Sequence, residues 1–165
     1  MTEKQFRKVS DSIRSRKYGE LMVNLINKLI TFLVFASYPA LILYIYYYNR
    51  GDVLKCIIVP AISFAAVTMF RNIFNAKRPY EIYDFEPVIK KDTSAHSFPS
   101  RHVFSAFMIA MTYFVVDPRT SIDIFVMAAI LGGLRVVGGV HFIKDVVSGA
   151  IIGILAGFIG YFIIF

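Results

Sequence analysis

Apolar positions fall in long blocks along this chain. Polar positions gather in the first 20 residues, in short links and in one long central stretch. The first apolar block covers residues 21–48 and has no charge after Lys28. The second covers 53–70, with Lys55 close enough to its end to snorkel. Shorter and longer blocks follow at 102–116, 122–140 and 142–165, the fourth interrupted by Arg135. About 20 uncharged residues are enough for a helix to cross the hydrocarbon of a bilayer. The pattern therefore predicts an all-α fold: a polytopic transmembrane helical bundle of about five spans. Pro39 and Pro60 are positions for kinks, which neighbouring helices tolerate in lipid. Gly149, Gly153 and Gly157 recur every four residues and offer a face on which another helix can approach closely. Residues 49–52 and 117–120 read as tight polar turns.

Before these spans lies an amino-terminal amphipathic segment, residues 1–20. Phe6, Val9 and Ile13 recur there at helical spacing among Lys4, Arg7, Lys8, Arg14, Arg16 and Lys17. It reads either as a short interfacial helix or as a frayed basic tail. It lacks the short apolar core and cleavage site of a secretory signal. The organisation expected is this segment followed by one membrane domain, residues 21–165, with no repeat.

Composition agrees with lipid as the main solvent: 57% of the 165 residues are hydrophobic. Tyr44, Tyr46, Tyr47 and Tyr48 cluster at one block end, where amphipathic rings suit the headgroup layer. The formal net charge of +7 fits anionic lipid and an anionic substrate, and no nucleic-acid module is present. The single cysteine, Cys56, lies inside an apolar block, so it reads as a small buried hydrophobe and no intrachain disulfide can form. If the spans alternate, the amino terminus, the long polar stretch 71–101 and the junction of spans four and five share one side of the membrane.

Three clusters on that side carry candidate chemistry. Arg71 and Arg78-Pro79 are seven apart, about two helical turns, so one helix end could aim both at a single anion. Guanidinium is a planar fork for phosphate oxygens. The bland alternative is a basic membrane boundary. Ser97-Phe-Pro99-Ser100-Arg101-His102 precedes an apolar run, so helix-start amides and a serine hydroxyl could bind an anion beside a proton-donating histidine. Taken alone, the same residues read better as an ordinary capped helix start with a surface histidine. Arg135, His141 and Asp145 form the third. The last two are four apart, sharing a face if helical, and a carboxylate there could fix the imidazole tautomer. A structural ion pair among Arg135, Lys144 and Asp145 is the alternative. His96 reads as a solvated loop residue, and Glu81, Asp84 and Glu86 read as balancing the charge of the loop.

Together the clusters resemble the tripartite signature of the type-2 phosphatidic acid phosphatase family, which includes undecaprenyl-diphosphate phosphatases and vanadium haloperoxidases. The family pattern is Lys-x6-Arg-Pro, Pro-Ser-Gly-His and Ser-Arg-x5-His-x3-Asp. The matching text is Arg71-x6-Arg78-Pro79, Pro99-Ser100-Arg101-His102 and Leu134-Arg135-x5-His141-x3-Asp145, over roughly residues 55–165. Arg71, Arg101 and Leu134 depart from the pattern. The last two bear on substrate preference and on the phosphate cradle.

The resemblance implies a membrane lipid phosphatase with no metal and no cofactor. His141 would be the nucleophile, Asp145 its orienting acid, and His102 the acid and base. Arg71, Arg78, Arg135 and Ser100 would bind phosphate. Arg101, at the pocket mouth, and Lys77 are read from the residues themselves as further candidates for substrate contact, a solvated lysine being the equal alternative at Lys77. The expected partner is a lipid phosphate in a bacterial plasma membrane. The expected substrate is an isoprenoid-lipid diphosphate such as undecaprenyl diphosphate, with phosphatidic acid or phosphatidylglycerophosphate as alternatives. A non-catalytic lipid-binding scaffold is the reading from another class. The family site usually faces away from the cytoplasm, whereas the basic amino terminus on the same side favours the cytoplasm.

Overall fold

A computed structural model describes residues 1–48, 52–83, 85–90 and 95–165. They form helices α1 (Glu3–Arg14), α2 (Gly19–Tyr48), α3 (Val53–Phe74), α4 (Pro79–Tyr83), α5 (Arg101–Val116), α6 (Pro118–Val137) and α7 (Ile143–Ile159). A π-helical turn, Gly160–Ile164, extends α7. Four helices, α2, α3, α6 and α7, are long and apolar enough to cross a membrane, and the chain is an integral membrane protein. Their outer faces expose Phe32, Leu43, Ile62, Ile122 and Ile151, as lipid-facing helices should. The predicted third span, α5, is shorter at 16 residues, about 24 Å at 1.5 Å per residue. It is also the centre of the bundle, packed between α6 and α7, with Val103, Phe104, Ala106 and Ala110 fully buried.

Helix ends differ from the sequence reading for local reasons. The predicted turn at 117–120 is instead the start of α6. Asp117 caps it by accepting from the Arg119 amide at 3.1 Å, and Pro118 fits the first helical position. Of the predicted turn at 49–52 only Asp52 is described, and it pairs with Lys55. Proline is accommodated in α3 by a neighbour: Pro60 cannot donate to the Cys56 carbonyl one turn back, and the Tyr38 hydroxyl donates to it instead at 2.8 Å.

The glycine face of α7 lies against α5. A Cβ at Gly149 would stand 2.7 Å from the Ser100 carbonyl oxygen, and one at Gly153 2.7 Å from that of Phe104. These neighbours are backbone and cannot rotate away. Gly149→Ala is expected to lower stability by about 1–3 kcal/mol, the usual cost of overpacking. Gly133→Ala, where nothing lies within 4 Å, should be neutral or mildly stabilising because alanine favours a helix. Thermal unfolding in one detergent compares them, and equal melting points would contradict this packing.

The first helix is fastened to the polar stretch. Phe6 is buried, its ring 5.4 Å from Phe85, 5.8 Å from Phe142 and 6.1 Å from Tyr83. Ser10 donates to the Glu86 carbonyl at 3.0 Å, and Arg14 meets the Glu86 carboxylate at 2.6 Å. That hydrogen bond and charge hold the exposed Glu86 carboxyl below its ordinary range. Glu86 thus does balance charge, through an ion pair with Arg14 on α1. Asp84 lies outside the described residues.

Candidate active site

The site forms where α3, the polar stretch and the α6–α7 junction meet. Arg71 occupies the last turn of α3, which ends because Asn75 turns left-handed (φ 45°) and its amide closes on the Arg71 carbonyl. Arg78 lies beyond that break. The two arginines therefore do not share a helix, contrary to the sequence reading; chain reversal brings them together. Arg71 donates to the carbonyls of His96 and Pro99. Arg78 donates to the carbonyls of Ala95, at 3.2 Å, and Val140, at 3.1 Å. These contacts join the first cluster to the second and third.

His141 and Asp145 also depart from the expected single helix. α7 begins at Ile143, so His141 precedes it, while Asp145 sits in its first turn and accepts from the Phe142 amide at 3.0 Å. That capping bond turns the chain and still leaves His141 Nδ1 3.5 Å from Asp145 Oδ2. Both side chains are 1% exposed. The Ser100 amide donates to the Asp145 carbonyl at 2.9 Å, which fixes the start of α5 against α7. Arg135, on the last turn of α6, has its carbonyl engaged by the amides of Val140 and His141.

Three arginines, Arg71, Arg78 and Arg135, and one carboxylate, Asp145, are thus buried here, with the carboxylate in electrostatic reach of Arg71 and Arg78. Arg78 is within electrostatic reach of both other arginines. The buried Arg135 Nε and Ser100 Oγ have no hydrogen-bond partner among the described residues. Buried like charges and unpaired donors are costly unless an anion binds between them. Such a cradle can hold phosphoryl oxygens, and a buried imidazole beside it can attack phosphorus. Among the described residues no three His, Cys, Asp or Glu side chains gather as a metal site.

A family model for the PAP2 superfamily matches residues 52–165, the part of the chain that carries all three clusters. The chain belongs to the PAP2 superfamily. Its architecture is similar to the crystal structure of Aquifex aeolicus LpxE, with TM-score 0.73 and 24% identity over 95% of this chain and 92% of that one. It is also similar to a PAP2-type phosphatidylglycerolphosphate phosphatase from Bacillus subtilis, with TM-score 0.65 and 25% identity over 96% and 83%. A lipid A 1-phosphatase of Porphyromonas gingivalis is 35% identical over 85 residues, 49% of this chain. The chain spans 19% of that protein's length. Family and fold are those of PAP2-type membrane lipid phosphatases.

The remaining candidates of this PAP2 chain stand at the rim. His102 is half-buried in the first turn of α5, its ring 6.1 Å from that of Phe35 on α2. Arg101 is exposed and lies over the Phe64 ring at 5.6 Å. Lys77 is exposed and is not drawn into the buried cluster. Two residues have structural work that their sequence position hid. Glu81 accepts from the amides of Arg78, at 2.6 Å, and Ala95, at 2.8 Å, so it folds the polar stretch rather than balancing its charge. His96 is half-buried, and its Nδ1 contacts the Arg71 carbonyl at 3.1 Å, so it is not simply solvated. Ser97 is buried against both His141 and Asp145. The sequence marks it only as the first residue of the second cluster.

Proposed function

We propose that this protein hydrolyses a phosphate from a membrane lipid through a phosphohistidine at His141. The observation that carries the reading is the buried cradle of Arg71, Arg78 and Arg135 with unpaired donors on Arg135 and Ser100, beside a buried imidazole–carboxylate pair. His141 attacks phosphorus, and the three guanidinium groups hold the equatorial oxygens. His102 protonates the leaving lipid oxygen and then activates water against the phosphohistidine. Asp145 supports the imidazolium charge.

An apolar cleft of about 380 Å³ lies between α2, α3 and α5, lined by Phe35, Tyr38, Pro60, Phe64, Phe104 and Met108. Phe35 meets the ring of His102, and Phe64 carries Arg101 above it. This arrangement suits a lipid whose tail lies in the cleft with its leaving oxygen at His102. The apolar lining of this cleft and the added charge of Arg101 above it favour a one-tailed lipid diphosphate, such as an isoprenoid diphosphate. The glycerophospholipid phosphates are the second reading, favoured by the similarity to the Bacillus subtilis enzyme.

Phosphate release from vesicles carrying undecaprenyl diphosphate, phosphatidic acid or phosphatidylglycerophosphate tests the reading. Turnover of the first should exceed that of the others; release from none of them would overturn the assignment in favour of a lipid-binding scaffold. Because arginines supply the positive charge, turnover is expected to persist in excess chelator. Complete loss, restored by magnesium, would contradict the arginine cradle.

A further inference from the structure

We propose that Ser97 is a positioning residue that couples Asp145 to His141, so that the carboxylate acts on the imidazole through a serine hydroxyl. The proposal rests on His141 being the nucleophile. Nδ1 of His141 stands 3.5 Å from Asp145 Oδ2, too far for a good hydrogen bond. Ser97 Oγ fills the gap, 2.5 Å from Oδ2 and 3.2 Å from Nδ1. Ser97 is 1% exposed, so no bulk water competes for these contacts.

A hydroxyl carries one proton. At 2.5 Å from a carboxylate, that proton goes to Asp145. Oγ then has only lone pairs to offer His141, so Nδ1 must be the protonated ring nitrogen. Nε2 is left with the free electron pair that attack on phosphorus requires. When the Nε2–P bond forms and the P–O bond to the lipid breaks, the Nδ1 proton stays in place. The leaving oxygen takes its proton from His102. The positive charge on the ring is relayed through Oγ to the carboxylate. The serine is itself fixed from both sides: its amide donates to the Ala76 carbonyl at 2.8 Å, and its own carbonyl faces Arg71 Nη1 at 3.4 Å. Backbone contacts hold it, so a side-chain change leaves the loop anchored.

The test uses the full chain in lipid nanodiscs. With ¹⁵N-labelled histidine, His141 (assigned by its loss in His141→Gln) should show the Nδ1–H tautomer, and Ser97→Ala should mix the two tautomers. An unchanged His141 spectrum in Ser97→Ala overturns the relay whether or not the lipid-phosphatase reading holds. On any lipid phosphate that the wild type turns over, Ser97→Ala should lower kcat about 10- to 100-fold, the scale of one hydrogen bond to a charged group, with KM nearly unchanged. Asp145→Asn should then cost far less in the Ser97→Ala background than in the wild type. Independent, multiplying losses would show that serine and carboxylate act separately. Absence of wild-type turnover would count against the phosphatase reading alone.

Discussion

Replacing His141 with alanine is expected to lower turnover by about 10⁴-fold or more, as removal of a nucleophile does elsewhere. It should also abolish a covalent phosphoryl adduct. The imidazole is buried and bridged to a carboxylate, in the same buried cluster as Arg71, Arg78 and Arg135. Rapid quenching with labelled substrate should trap an acid-labile, base-stable adduct in the wild type and none in His141→Ala. In His102→Ala the adduct should still form with a good leaving group, because His102 serves the departing oxygen and the later water. Wild-type rates in His141→Ala would remove the phosphohistidine from the mechanism.

The second large effect separates two arginines that look alike in sequence. Arg135 is 5% exposed, and its Nε finds no partner among the described residues. Arg71 is equally buried but is tied to the carbonyls of His96 and Pro99. Arg135→Met should lower kcat about 10²–10³-fold, the scale of losing one preorganised charge donor at a transition state. Yet its melting temperature should hold or rise, since a buried, incompletely paired charge is exchanged for an apolar side chain. Arg71→Met should lose comparable activity and also about 1–3 kcal/mol for each buried carbonyl left without a donor. Turnover and thermal unfolding measured on the same two samples distinguish these roles. Parallel falls in stability would mean that Arg135 is a structural residue.

That contrast marks how far the sequence could be read. Spans were legible because lipid forces helices to be long and continuously apolar, and Gly149, Gly153 and Gly157 announced a close helix approach by their period, though not that α5 is the partner. The candidate site residues were singled out by their spacing and their resemblance to a family pattern. Their local geometry was not legible. Arg71 and Arg78 look like one helix face until Asn75 breaks it, and His141 looks helical until Asp145 caps the Phe142 amide. Ser97 reaches Asp145 across 48 residues, and no local pattern encodes so distant a hydrogen bond. Glu81 was hidden for the same reason: its work is done on the Ala95 amide, 14 residues along.

The docking of α1 has a consequence for the order in which the molecule is assembled. Ser10 and Arg14 bond to residues more than 70 positions later in the chain, and the Phe6 ring also needs Phe142. During synthesis α1 is therefore complete long before its binding surface exists, and it must wait through five further helices, α2 to α6. A basic helix with one apolar stripe has a natural resting place meanwhile, lying in the headgroup layer with Phe6 turned toward the acyl chains. A helix made before all the spans is thus among the last elements to settle, and its seating on Phe142 signals that α6 has already been laid down.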